Sequence, residues 1–167
     1  DQASYAGAGT GAEVDLLGIL ANAGAAAGDT LANIEGLRGS ANDDALRGDM
    51  GANLLWGSDG NDVMFGRGGD DVLRGGVNDD LLVGQAGADI LEGGAGMDRF
   101  VFNTAAHTEL GAFDLILDIE PGIDLIDISG IDADTGTADD QSFLFIGASD
   151  FSGTAGELRS VEIATDR

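Results

Sequence analysis

Six aspartates and one asparagine recur at an interval of nine residues: Asp44, Asn53, Asp62, Asp71, Asp80, Asp89 and Asp98. A carboxylate can act as acid, base or hard oxygen ligand, and its neighbours decide which. Five residues before each stands a glycine: Gly39, Gly48, Gly57, Gly66, Gly75, Gly84 and Gly93. Two residues after each stands a large apolar side chain: Leu46, Leu55, Met64, Leu73, Leu82, Leu91 and Phe100. The fourth place of each unit is Gly or Asn: Asn42, Gly51, Gly60, Gly69, Asn78, Gly87 and Gly96. Residues 39–101 are therefore seven nonapeptides without a gap, from GSANDDALR to GGAGMDRFV.

Acid–base catalysis is not what this pattern suggests. There is no H-E-x-x-H pair of metal-binding histidines. The single histidine, His107 in NTAAHTEL, has no nucleophile beside it and reads as a surface residue. A glycosidase-like carboxylate pair cannot be singled out where acids are this abundant. We expect no enzymatic activity within this chain.

The spacing instead dictates a structure. Gly and Asn tolerate positive φ, so the first six residues of each unit read as a turn. The last three, such as VMF or VLR, are too short for a helix and suit a short strand with its middle side chain inward. Turn, strand, turn, strand makes a coil of eighteen residues. Coils then stack through parallel backbone hydrogen bonds at roughly 4.8 Å. The turns beginning at Gly39, Gly57, Gly75 and Gly93 form one stack, and those at Gly48, Gly66 and Gly84 the other.

Stacking aligns the aspartates. Two carboxylates ~5 Å apart repel by about 3 kcal/mol at an effective dielectric of 20. Burying one Leu-sized side chain per unit returns only about 1.5–3 kcal/mol, against roughly 1–2 kcal/mol per residue of backbone ordering. A divalent cation between turns reverses the repulsion. Carboxylates and turn carbonyls, six to eight from flexible loops, suit calcium better than magnesium. A flexible acidic linker would not keep an apolar residue at the eighth place of all seven units. A metal-free solenoid would favour Asn, Ser or Thr ladders at its turns.

Composition narrows the partners. The chain has 167 residues, a net charge of −24 and no lysine. Nucleic acid and anionic membrane both need a basic footprint and are not expected. Without cysteine, and with one histidine, a zinc site of the usual kind cannot be built from this chain alone. No apolar run is long enough to span a membrane. The opening DQASYAGAGTG has neither an initiator Met nor the features of a secretory signal, so we read the chain as a piece of a longer protein.

The repeat resembles the RTX family, whose nonapeptide G-G-x-G-x-D-x-U-x is a calcium-binding signature. The resemblance implies an all-β, right-handed parallel β-roll with calcium between turns, bound by carbonyls and the sixth-place Asp. It places Gly39, Ala41 and Asp44 opposite Ser58, Gly60 and Asp62. It places Gly57, Asp59 and Asp62 opposite Gly76, Asn78 and Asp80, and Gly75, Val77 and Asp80 opposite Gly94, Gly96 and Asp98. In the other stack, Gly66, Gly68 and Asp71 face Gln85, Gly87 and Asp89. Gly48, Met50 and Asn53 face Arg67, Gly69 and Asp71 in a weaker site, which Asn53→Asp should strengthen; the rival reading has Asn53 at the outer end of the array in a metal-free amide ladder, with the second stack beginning at Gly66. About five ions follow, with one or two more at the ends.

The flanks extend the likeness. AGDTLANIEGLRGSANDD resembles the lead-in to such an array, with Glu35 at an imperfect sixth place. MDRFVF, FDLILDIEPGIDLIDISGI and FLFIGASDFSGTAGELRSVEI resemble the C-terminal cap of serralysin-type metalloproteases, and a related cap occurs in alginate epimerases. The expected organisation is a lead-in or cap of the roll at 1–38, the repeats at 39–101 and a β cap at 102–167, the last truncated or divergent. Within the cap, alternation in Phe113, Leu115, Leu117, Ile119, Ile123 and Leu125 around Pro121 and Gly122 reads as a hairpin. Phe143 and Phe145 read as one side of a further strand. Asp114 and Asp118 could complete a last calcium half-site or be solvated strand acids.

The resemblance implies a calcium-binding module of a secreted bacterial protein, folding outside the cell and exported by a type I system. We expect an extracellular monomer. Two alternatives differ in kind: a module that binds an anionic polysaccharide or other surface through calcium, and the C-terminal module of a secreted enzyme whose catalytic domain lies upstream.

Overall fold

The computed structural model describes residues 1–103 and 113–130, together with the backbone of residues 144–145 and 157–158. Among the described residues all regular structure is strand: β1 (Gln2–Ser4), β2 (Ala12–Asp15), β3 (Ala23–Gly24), β4 (Gly36–Arg38), β5 (Ala45–Arg47), β6 (Leu54–Asp59), β7 (Val63–Gly68), β8 (Val72–Val77), β9 (Leu81–Ala86), β10 (Ile90–Ala95), β11 (Arg99–Val101), β12 (Leu115–Ile116) and β13 (Leu125–Asp127). Two more, Leu144–Phe145 and Glu157–Leu158, pair in parallel with each other. His107 and Phe143 lie outside the described residues.

Strands β3 to β13 alternate between two sheets. One has the order β1-β4-β6-β8-β10-β12, the other β13-β11-β9-β7-β5-β2-β3. Every neighbour is parallel except β2 and β3, which close one end antiparallel. The register steps by one coil: Leu55 pairs with Leu73 and Leu73 with Leu91, while Leu46 pairs with Met64 and Met64 with Leu82. The chain is a parallel β-roll with eighteen residues per coil.

Eighth-place side chains of the two sheets meet in the middle. Leu37, Leu55, Leu73 and Leu91 from one sheet, and Val14, Leu46, Met64, Leu82 and Phe100 from the other, are all fully buried. This core is one side chain thick, because only one residue in each short strand points inward. In β7 and β8 the residues on either side of it are half-buried or exposed, whereas in β9 Val83 beside Leu82 is buried as well.

Three features differ from the sequence reading. Strands β6 to β10 are six residues long, not three, because the first three residues of each unit continue the strand of the preceding one. The roll also begins earlier: β1, β2 and β4 pair in register with the array, so residues before Gly39 supply complete rungs. Finally, there is no hairpin at Pro121. Strand β12 pairs in parallel with β10, and β13 pairs in parallel with β11 in the opposite sheet. The tight turn exists, with the Ile123 amide donating to the Glu120 carbonyl at 3.0 Å. It joins two rungs of the roll rather than two adjacent strands. The same alternation of apolar residues serves either arrangement, and the hydrogen bonds of Asp114 and Asp124 select the roll.

Candidate functional site

The sixth-place side chains point into the turns and are sealed there. Asp44, Asn53, Asp62, Asp71, Asp80, Asp89 and Asp98 are each at most 5% exposed. All but Asn53 reach back one coil to a backbone amide. In the first stack, Asp62 Oδ1 accepts from the Asp44 N–H (2.8 Å), Asp80 Oδ1 from Asp62 (2.8 Å) and Asp98 Oδ1 from Asp80 (3.0 Å). In the second, Asp71 Oδ1 accepts from Asn53 (2.7 Å) and Asp89 Oδ1 from Asp71 (2.9 Å). These bonds hold the acids in two columns.

The other oxygen is treated differently. Oδ2 of Asp62, Asp71, Asp80 and Asp98 is buried and accepts no hydrogen bond. A buried polar atom without a partner is costly and uncommon in folded proteins. The acids respond accordingly. Burial, with neighbouring carboxylates adding to it, pushes Asp62 and Asp71 up to about 7 and Asp80 up to about 8, against the pull of the backbone amides. The bare columns thus favour either protons or a cation near neutral pH.

Glycine at the first place makes room for this arrangement. It does not serve a positive φ, as the sequence suggested. Those occur at the second place (Ser58, Arg67, Gly76, Gln85 and Gly94) and the fourth (Gly60, Gly69, Asn78, Gly87 and Gly96). A Cβ on Gly57 would overlap Asp62 Oδ2 and lie 2.7 Å from the Gly75 carbonyl oxygen. The same holds at Gly75, against Asp80 Oδ2 and the Gly93 carbonyl (2.5 Å), and at Gly66, against Asp71 Oδ2 and the Gly84 carbonyl (2.8 Å). The unpartnered Oδ2 atoms of Asp62, Asp71 and Asp80 therefore each share one small space with a carbonyl of the next coil. Second-place residues pair along the stack, Ser58 with Gly76, Gly76 with Gly94, and Arg67 with Gln85.

The donor set is uncharged carbonyls plus a column of carboxylates, all hard oxygens, and it fits calcium. Among the described residues no three acidic or imidazole side chains converge. Backbone carbonyls must therefore make up most of any coordination shell, as the resemblance implies. The fit is best where Asp62 faces Asp80, Asp80 faces Asp98, and Asp71 faces Asp89.

The outermost pairs differ. Asp44 Oδ2 accepts from the Ser40 amide (2.6 Å), and Oδ1 accepts from the Ala12 amide (2.5 Å) and the Ser40 hydroxyl (3.1 Å). Asn53 Oδ1 accepts from the Asp49 amide (2.7 Å). Met50, named with Asn53 as a backbone ligand, has an exposed side chain.

At the other end, Asp114 continues the second column, accepting from the Asp89 amide (2.9 Å), and burial raises its carboxyl to about 6. Asp118 takes the amides of Gly93 (3.0 Å) and Gly94 (2.7 Å). Asp124, which the sequence reading passed over, continues the first column by accepting from the Asp98 amide (3.0 Å). Its signal was an Asp followed two residues on by an apolar residue, as in Asp124 and Ile126 or Asp114 and Ile116.

A fifth-place ladder was also missed. Asp43 Oδ1 accepts from the Asn61 amide (2.8 Å), Asn61 from Asp79 (3.1 Å), and Asp79 from Met97 (2.8 Å). These bonds run forward along the stack, opposite to the sixth-place bonds. Ninth-place Trp56, Arg74 and Glu92 line the outside, where Arg38 stacks 4.2 Å from the Trp56 ring and Arg74 pairs with Glu92 at 3.1 Å; ninth-place Val83 is buried.

The family model described as Peptidase M10 serralysin C terminal matches residues 10–162. No curated protein matches the chain. The match spans β2 to β13, and so takes in the array and both of its flanks. The family's repeats are of the RTX type, which generally bind calcium and belong to secreted bacterial proteins. By that match the chain belongs to the serralysin C-terminal family.

Proposed function

We propose that this chain is a calcium-dependent folding module of a secreted bacterial protein, exported unfolded by a type I system and folded outside the cell. The observation that carries the reading is the buried, unpartnered Oδ2 of Asp62, Asp71, Asp80 and Asp98. Asp62 with Asp80, Asp80 with Asp98, and Asp71 with Asp89 would hold the ions, together with first- to fourth-place carbonyls of their turns. Calcium would supply the divalent charge that the aligned carboxylates lack. The chain's own part is to present preformed columns of oxygens once the coils stack. Where free calcium is scarce the columns repel, and the chain stays open for export. Extracellular modules of this kind bind at about 10⁻⁴–10⁻³ M, and binding to the folded state alone stabilises it. On this reading the module contributes no catalysis of its own.

Surface binding is less well supported, because Arg38 and Arg74 on the outer face already engage Trp56 and Glu92. Far-UV circular dichroism tests the proposal. Chelated chain should show little β signal, millimolar calcium should restore it, and equal magnesium should not. Equal β content with chelator and with calcium would refute it.

A further inference from the structure

Arg67 stands at the second place of its unit with φ of 81°, and its side chain turns back beneath the preceding coil. Its guanidinium grips Asp15 in a two-pronged pair, Nη1 to Oδ1 at 2.6 Å and Nη2 to Oδ2 at 2.9 Å. The same Nη1 donates to the Gly48 carbonyl at 2.8 Å. Asp15 is 1% exposed at its side chain and Arg67 only 17%. Asp15 is further fixed by the amides of Leu17 (3.0 Å) and Leu20 (3.1 Å).

This geometry conflicts with a calcium ion between the turns at Gly48 and Gly66. Two of the oxygens such an ion would need are already committed. The Gly48 carbonyl accepts from a fixed cation, and Asn53 Oδ1 accepts from the Asp49 amide. The first stack begins in the same way, with the Ser40 amide and hydroxyl on Asp44. Neither Ser40 nor Asp49 has the positive φ found at Ser58, Arg67, Gly76, Gln85 and Gly94. In these first turns the second-place amide faces inward, toward the sixth-place side chain. In the inner turns Oδ2 of Asp62, Asp71 and Asp80 accepts no such bond.

We propose that the first turn of each stack binds no calcium, and that in the second stack the Arg67 guanidinium takes the ion's place, bridging the Gly48 carbonyl to Asp15. The array would then have a metal-independent end, closed by protein donors, on which the calcium-dependent coils stack. This rests on the calcium reading of the inner turns. It reverses the expectation for Asn53, because a carboxylate there gains a second acceptor beside a site that a cation of the chain already fills.

Calcium binding to the chelator-stripped chain tests it, with isothermal titration for stoichiometry and anomalous diffraction of calcium-loaded crystals for position. In the wild type, ions should lie between the turns at Gly57, Gly75 and Gly93 and between those at Gly66 and Gly84. None should lie between Gly48 and Gly66 or between Gly39 and Gly57. Asn53→Asp alone should leave the stoichiometry unchanged and shift the folding midpoint by less than about threefold. Arg67→Gly with Asp15→Asn and Asn53→Asp should take up one ion more than wild type, since Gly accepts this φ freely. An ion against the Gly48 carbonyl in the wild type, or an added ion in Asn53→Asp alone, would overturn the proposal. The wild-type crystal decides even if the triple variant fails to fold. Absence of ions at every turn would overturn the calcium reading, and this inference with it.

Discussion

The glycines of the array are not equally constrained, and substitution separates them. At Gly57 the backbone is ordinary, but a Cβ would overlap Asp62 Oδ2 and press on the Gly75 carbonyl. At Gly51 the φ is again not positive, and the nearest atom to a Cβ is Asp49 Oδ1 at 3.4 Å. Gly57→Ala should therefore destabilise the calcium-loaded roll by about 1–3 kcal/mol, the usual cost of overpacking, and raise the calcium midpoint. Gly51→Ala should stay within about 0.5 kcal/mol, as for an unconstrained surface position. Urea denaturation in saturating calcium checks both. Equal effects at the two positions would mean that the first-place glycine does not make room for the acid column.

At the scale of the strand and its turn, the ends of the roll are held by side chains that replace the next coil. Asp124 shows this most directly. One oxygen accepts from the Asp98 amide at 3.0 Å, and the other from the Glu120 amide at 2.7 Å. Asp124→Ala should leave the buried Asp98 amide without an acceptor, a loss of about 1–3 kcal/mol, and open the exposed Glu120 amide to water. Hydrogen exchange should speed up at Asp98 and Glu120, while the amide of Leu73 inside the array keeps its protection. Unchanged exchange at Asp98 would mean that β13 is not a rung. The array itself was legible because one period fixed three columns at once, and the eighteen-residue register followed from it. The flanks were not, because the period lapses there. Val14 and Leu37 fill the core without a glycine five places before a sixth-place acid. In Phe113–Ile126 a strand period of two masked the D-x-U spacing. Within the site, the acids were readable by residue type, but the second-place positive φ was not, since Ser58, Arg67 and Gln85 do not advertise it. The reach of Arg67 to Asp15, 52 residues away in sequence, depends on a coil contributed by the lead-in, which the sequence reading left outside the repeats.

For the whole molecule, the decisive quantity is a charge of −24 on a core one side chain thick. Two kinds of repulsion oppose folding, and salt separates them. Surface acids repel through water and are screened beyond about 8 Å at physiological ionic strength. The columns of Asp62, Asp80 and Asp98, and of Asp71 and Asp89, are at most 2% exposed, where mobile ions cannot enter between neighbours. Monovalent salt should therefore leave the chelated chain expanded, while calcium collapses it. For 167 residues the size scaling gives a radius of gyration of about 43 Å unfolded and about 15 Å for a compact globule. A stacked roll is longer than a sphere, so the calcium form should fall somewhat above the lower figure. Small-angle X-ray scattering in chelator, in chelator with molar sodium chloride, and in millimolar calcium distinguishes the cases. If sodium chloride alone brought the radius to the calcium value, general charge screening would account for folding, and the buried columns would not be the element that calcium controls.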